Sequence, residues 1–283
     1  MKNDLLPKIT VVTVVKNGVK YIERSIQSVI KQNYINVEYI IYDACSTDGT
    51  QKVLNKYKAY IDKLVIEPDS GPADALNKAF SNATGDIYCW INADDYYLPD
   101  TFFKVGNYFF ENPDTQLLYG NYCVKKNDRL IQKLKIPFNY KVALYRYLMI
   151  AQPSSFWRRS IYNDVGGLDS TLKFCFDYDF FLRVGQKVEL KKIVYLNIDF
   201  SVFEIHAMSK TGQGDKNFKV ERKIIRKRMG VEKKWFDRKI TKFFLNFKII
   251  YLVVSTHGIK NLVRKFIRED QSVETTQDVH KSG

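Results

Sequence analysis

The 283-residue chain has no Cys-x-x-Cys pair, no glycine-rich phosphate loop and no long apolar run. Its four cysteines, Cys45, Cys89, Cys123 and Cys175, are widely spaced, which favours reduced thiols in a cytosolic protein over a disulfide framework or a zinc site. No secretory signal is read at the N-terminus, where Asp4 and Pro7 precede a short apolar run, Ile9 to Val15, that stops at Lys16-Asn17. The most apolar stretch, Phe243 to Val254, falls short of the roughly 20 residues that span a bilayer. Internal repeats and low-complexity linkers are absent. Acidic residues are few beside basic ones, 31 against 45, and the resulting net charge of +14 asks for a partner. No nucleic-acid-binding motif accompanies that charge, so nucleic acid is not the expected partner.

What is present is a regular beat of strands and helices. Strands are expected at Ile9–Val15, Val37–Asp43, Lys63–Ile66 and Asp86–Ile91, with helices at Val19–Lys31, Thr50–Tyr60, Ala73–Ser81 and Pro99–Asn112. Near-continuous apolar strands alternating with helices predict an α/β fold, a Rossmann-like and mostly parallel sheet covered on both faces. Beyond Leu117 the pattern loosens into short strands at Gln116–Tyr119, Leu130–Leu134 and Lys192–Phe200.

Chemistry concentrates at strand ends. Asp94 and Asp95 follow the apolar strand that ends at Ile91, at the edge where open α/β sheets bind ligands. Adjacent like charges there suggest a shared cation, and hard carboxylate oxygens suit Mg²⁺ or Mn²⁺. An acidic, solvated turn is the plainer reading of such a pair taken alone. Asp43 closes the second strand, where a carboxylate can accept hydrogen bonds from a base or ribose, and Ser46, Thr47 or Asp48 can cap the next helix. Without a glycine-rich cradle, phosphates would depend on the metal.

In order along the chain, Thr13-Val14-Val15-Lys16-Asn17, Asp43 to Thr50, Glu67 to Lys78, Thr84-Gly85-Asp86 and Asn92-Ala93-Asp94-Asp95 resemble glycosyltransferase family 2. So do Gln152-Pro153-Ser154-Ser155, Gly166-Gly167-Leu168-Asp169 and Asp177 to Arg183. The resemblance implies a GT-A fold over residues 1–215, with a nucleotide-sugar half (1–100) and an acceptor half (101–215). It implies inverting transfer of one sugar from a nucleoside-diphosphate sugar, UDP-linked in most members, with Mg²⁺ or Mn²⁺ as cofactor. Thr13 and Asp43 match positions that contact base and ribose; Asp69 would line the same pocket. Asp94 and Asp95 match the metal and sugar-phosphate motif, with Asp95 the direct ligand, and His206 is a further donor or metal candidate. Lys210 is a candidate phosphate contact. Asp177 matches the catalytic base, although Phe176 stands where an acid commonly precedes it, which leaves Asp179 as the alternative. Trp157-Arg158-Arg159 either borders the acceptor or opens a helix. The Gln-x-x-Arg-Trp signature of processive synthases is absent, which points to single transfers.

Residues 216–283 read as a basic, amphipathic helical tail. Lys216 to Lys242 is a block of positive charge, followed by Phe243 to Val254 and by a second basic piece, Ile259 to Ile267. Such a tail suits an anionic membrane surface or, alternatively, helices packed on the domain. The expected setting is the cytoplasm, peripheral on the inner face of the plasma membrane, with a saccharide or lipid-linked saccharide as acceptor. The rival readings are a nucleotidyltransferase on a related fold and a non-catalytic binding module.

Overall fold

The β-branched run of β1 (Ile9–Val15) is buried on both faces, and this central strand pairs in parallel with β2 (Val37–Asp43) and β4 (Ile87–Trp90). The computed structural model describes residues 6–126, 129–206, 216–231 and 239–258. β3 (Lys63–Ile66) extends the parallel set beyond β2. Gly85 lets β4 start tight against β1, because a Cβ there would lie 2.8 Å from the Thr10 backbone nitrogen. The remaining strands are β5 (Tyr96–Tyr97), β6 (Leu117–Lys126), β7 (Arg129–Lys133), β8 (Ser155–Arg158) and β9 (Ile193–Glu204). The sheet order is β3-β2-β1-β4-β8-β6-β9-β5, with β7 paired to β6. β8 runs antiparallel between β4 and β6, whereas β9 runs parallel to β6 and antiparallel to β5.

Helices cover both faces, as the alternation predicts. One layer holds α1 (Ile22–Ile30), α2 (Thr50–Lys56) and α4 (Thr101–Glu111), whose Ile22, Ile26, Leu54, Phe102, Val105 and Phe109 share one core. The other holds α3 (Pro72–Phe80), α5 (Tyr140–Tyr145), α6 (Arg159–Asp164) and α7 (Phe176–Lys187) around a core of Trp90, Trp157, Phe180 and Phe181. This is the mixed α/β, mostly parallel architecture expected.

Two local readings change. The helix expected from Pro99 starts at Thr101, because Tyr96–Tyr97 pair with β9 and Asp100 adopts φ 60°. The helix expected over Thr50–Tyr60 ends at Lys56 and gives way to a 3₁₀ turn at Lys58–Tyr60. Of the two readings of Trp157-Arg158-Arg159, the opening of a helix matches the fold: α6 starts at Arg159, Trp157 is buried in β8, and Arg158 donates to the carbonyls of Thr115 and Phe109.

The two described helices of the tail pack on the domain. α8 (Lys216–Arg228) buries Ile225, and α9 (Lys239–His257) buries Leu245, Ile249 and Val253, all within the core that α7 shares. Leu245, Ile249 and Val253 recur every fourth residue, so they form one helix face that the surrounding charge disguises in the sequence. The segment from Ile259 to Ile267 and residues Lys210 and Thr211 lie outside the described residues. No helix among the described residues is long and apolar enough to cross a membrane.

Candidate active site

The loops after β1 and β2 are joined by hydrogen bonds. The Asn17 amide donates to Ser46 Oγ (2.8 Å), Thr47 donates to Asn17 Oδ1 (2.9 Å), and the Gly18 amide donates to Thr50 Oγ1 (2.9 Å). Asp48 bridges the two loops and the start of α2, accepting from Val19 (3.0 Å) and Thr50 (2.9 Å). The N-cap position itself falls to Gly49, and of the three caps expected from sequence only Asp48, one residue earlier, accepts from the first helical amide. Asp43 is fully buried behind these loops, accepting from the Ser46 amide and hydroxyl and from Gln51 Nε2 (3.1 Å). Thr13 is also buried, and its hydroxyl meets the Tyr39 hydroxyl at 3.1 Å inside the sheet. Its backbone lies in the β1–β2 ladder, opposite Ile41.

The acidic pair divides its two carboxylates between interior and mouth. Asp95 is fully buried; its Oδ1 accepts from the Glu204 amide and its Oδ2 from Asn92 Nδ2, both at 3.0 Å. Burial, reinforced by the neighbouring charge of Asp94, pushes the Asp95 carboxyl well above the ordinary carboxylate range. Asp94 is half-buried, and its Oδ2 lies 3.0 Å from His206 Nε2. The His206 ring stacks on Tyr21, with centroids 4.2 Å apart. Thus the end of β9 delivers His206 to the loop that follows β4, and the structure brings Asp94, Asp95 and His206 together.

Arg24 holds this corner from α1. It donates to the Asp94 carbonyl (3.0 Å), pairs with Glu204 and lies over the Tyr96 ring at 4.5 Å. From below, Gln152 Nε2 donates to the Trp90 carbonyl (2.7 Å) and its Oε1 meets Asn92. Sequence reasoning missed Arg24 and Glu204. Neither stands in a recognisable motif, and only Glu204's place two residues before His206 hints at a role.

Across the mouth, Phe176 packs on Trp90 with ring centroids 6.2 Å apart, which sets the first turn of α7 beside β4. Asp177 in that turn is half-buried, and its Oδ1 accepts from the Tyr178 amide at 2.7 Å. Burial raises its carboxyl above the ordinary range, partly offset by that hydrogen bond and by the Arg222 guanidinium. Asp179 is bound elsewhere. It is buried and pairs with Arg183 at 2.7 Å, and Arg183 also donates to the Val165 and Gly167 carbonyls. Asp69 is half-buried ahead of α3, where its Oδ1 accepts from the Gly71 amide (2.8 Å). Lys173 Nζ donates to the carbonyls of Ser70 and Ser170, joining that loop to the approach to α7.

A divalent cation suits the donor set in one respect: the adjacent carboxylates of Asp94 and Asp95 are ligands of the kind Mg²⁺ and Mn²⁺ take, and the His206 imidazole beside them fits Mn²⁺ better than Mg²⁺. Among the described residues, no group of three His, Cys, Asp or Glu side chains closes into a metal cage. Any ion here would therefore draw further ligands from a bound molecule or water.

The family model for glycosyl transferase family 2 matches residues 10–166, a stretch that includes β1, the Asp43 loop, the acidic pair and Gln152. The chain belongs to glycosyl transferase family 2. TuaG of Bacillus subtilis, a putative teichuronic acid biosynthesis glycosyltransferase, is 34% identical over 108 residues, covering 37% of this chain and 43% of TuaG. An uncharacterized glycosyltransferase of Rickettsia prowazekii is 28% identical over 196 residues, covering 64% of this chain and 60% of its own. The chain therefore spans less than two thirds of either relative. Among solved structures, Staphylococcus aureus TarS 1–349 in complex with UDP-GlcNAc superposes with a TM-score of 0.63 at 19% identity, covering 77% of this chain and 65% of TarS 1–349. The Pyrobaculum calidifontis mannosyltransferase PcManGT, in complex with GDP-Man and Mn²⁺, gives 0.59 at 15% identity, covering 95% and 81%. These likenesses establish the family 2 fold, a GT-A arrangement, for this chain.

Proposed function

We propose that this family 2 chain is an inverting glycosyltransferase that moves one sugar from a nucleoside-diphosphate sugar to a hydroxyl of a saccharide or lipid-linked saccharide during surface polysaccharide assembly. The observation that carries the reading is the mouth itself. Asp94, His206 and buried Asp95 stand at the carboxyl edge of the parallel strands, with Asp177 on the first turn of α7 packed against the same β4 strand. The names of TuaG and TarS, and the UDP-GlcNAc in the TarS complex, favour a UDP-linked donor and a surface-polymer pathway.

Thr13 and Asp43, buried at the strand ends, and the Asp69 loop form the floor and rim of the base and ribose pocket. Asp94 and His206 form the outer face toward the diphosphate, and Asp95 stands behind them as a buried carboxyl that a bound cation would hold in its ionised form. A bound Mg²⁺ or Mn²⁺ would neutralise charge on the departing nucleotide. Asp177 takes the proton from the acceptor hydroxyl as that oxygen attacks the anomeric carbon from the face opposite the nucleotide. The C–O bond to the acceptor forms as the bond to the phosphate oxygen breaks, so one displacement inverts the configuration. Asp179 cannot share this task while it is paired with Arg183.

α9 supports a peripheral membrane location. Phe244, Phe247 and Tyr251 are 66%, 64% and 66% exposed and recur at helical spacing opposite the buried Leu245, Ile249 and Val253. Release of UDP from UDP-N-acetylglucosamine in the presence of MnCl₂ tests the core of the reading. Turnover should depend on Asp177 and stop with EDTA. Metal-independent turnover, or binding of nucleic acid in place of any nucleotide sugar, would overturn it.

A further inference from the structure

The first turn of α7 is closed by a residue from α8, outside the span that matches the family. Glu221 accepts hydrogen bonds from three consecutive backbone amides, those of Lys173 (2.8 Å), Phe174 (2.9 Å) and Cys175 (2.8 Å). Cys175 is the N-cap of α7 and has no side-chain cap of its own. An ionised carboxylate taking three bonds at a helix N-terminus satisfies orphan donors and complements the helix dipole together.

The rest of that α8 face grips the same turn. Cys175 Sγ donates to the Phe218 carbonyl (3.6 Å), Arg222 lies over the Tyr178 ring at 5.8 Å, and Arg226 Nε meets the Tyr178 hydroxyl at 3.5 Å. Ile225 is fully buried between them, and Arg228 pairs with Asp169 at 2.6 Å. Phe218, Glu221, Arg222 and Ile225 follow helical spacing, so one face of α8 is committed to this contact.

We propose that Glu221 is a positioning residue: from α8 it fixes the chain entering α7, and so holds the Asp177 carboxylate in place for proton abstraction. This rests on Asp177 being the base. The charged groups that bear on Asp177 are Arg222 and Glu221 from α8; on its own element Asp179 is neutralised by Arg183, and the neighbouring Cys175 thiol is itself pushed up to about 12 by burial. Removing Glu221's charge should make Asp177 easier to ionise, and removing Arg222's should make it harder.

The test uses the full chain with ¹³C-labelled aspartate, read by carboxyl NMR titration and by amide hydrogen exchange. Glu221→Gln should speed exchange at residues 173–175 at least tenfold and move the Asp177 midpoint to lower pH. Arg222→Gln should leave those amides protected and move the midpoint to higher pH. Opposite displacements are what loss of packing alone would not produce. Unchanged exchange in Glu221→Gln, or midpoints that stay put or move the same way in both variants, would overturn the proposal. The base assignment is read separately, in UDP release from UDP-N-acetylglucosamine: full turnover by Asp177→Asn would remove the base while leaving the exchange and titration results standing.

Discussion

Asp95 is buried with two neutral donors and a second carboxylate next to it, an arrangement that favours its protonated form in the absence of a cation. Because its folded pKa lies above the ordinary 3.8, its contribution to stability is fully present below that value and is lost as pH rises through the raised one. Asp95→Asn should therefore melt higher than the parent at neutral pH without metal, by about 2–4 °C for each kcal/mol relieved. It should also lose the gain that MnCl₂ gives the parent. A thermal melt with and without MnCl₂ checks both, and a variant that is less stable yet still responds to Mn²⁺ would remove Asp95 from the site. Asp177 and Asp179 separate in the same spirit. Asp177→Asn should keep the fold and nucleotide affinity while turnover falls on the order of 10²–10⁴-fold. Turnover in the parent should be lost as pH falls through the raised Asp177 value, since the base must be ionised. Asp179→Asn breaks a buried, charged hydrogen bond to Arg183 and should cost about 2 kcal/mol of stability, seen in urea unfolding. If Asp179→Asn were the inactive variant with an unchanged midpoint, the two roles would be exchanged.

At the scale of elements, the first hundred residues were legible because their strands are mostly apolar runs that alternate with amphipathic helices. The strand ends at Val15 and Asp43 fell where the apolar runs stopped, and the acidic pair was placed by the apolar run that ends at Ile91. The second half was harder for physical reasons. β5 is only two residues long and exists because β9 pairs with it, which no local pattern records. β8 is four residues and lies antiparallel between two distant strands, so no local pattern announced that Trp157 is buried there. Glu221 stands among lysines and arginines that read as a solvated block, and only the fold shows which three amides it meets. The loops after β1 and β2 act as one unit around Asp43, which suggests a clean test. Asp43→Ala should weaken UDP binding by about 1–3 kcal/mol in calorimetry. Equal UDP affinity in parent and variant would place the nucleotide elsewhere.

For the molecule as a whole, the packed helices alter how membrane binding must be examined. Truncation before α8 would strip Ile225, Leu245, Ile249 and Val253 from the core and would confuse unfolding with lost attachment. The informative variant replaces Phe244, Phe247 and Tyr251 together with serine, which leaves the buried face of α9 in place. The parent should sediment with anionic vesicles more than with neutral ones, and less so as salt rises. The triple variant should lose the part that salt does not screen. Equal recovery of parent and variant at every salt concentration would assign the stripe to a protein partner or to the domain.

The pairing of β5 with β9 also sets an order of assembly. The loop bearing Asp94 and Asp95 is made early in synthesis, but what pins its far end, the Glu204 amide and the β5 ladder, arrives about a hundred residues later. A ribosome-bound chain halted before Ile193 can zip β1 to β4 and still lack the corner where His206 meets Asp94. The loops after β1 and β2 would then mature before the Asp94–His206 corner does, since chains fold from the N-terminal side as they emerge. On the proposed reading, the last strand of the sheet is what completes the corner for transfer, long after the loops around Asp43 have been made.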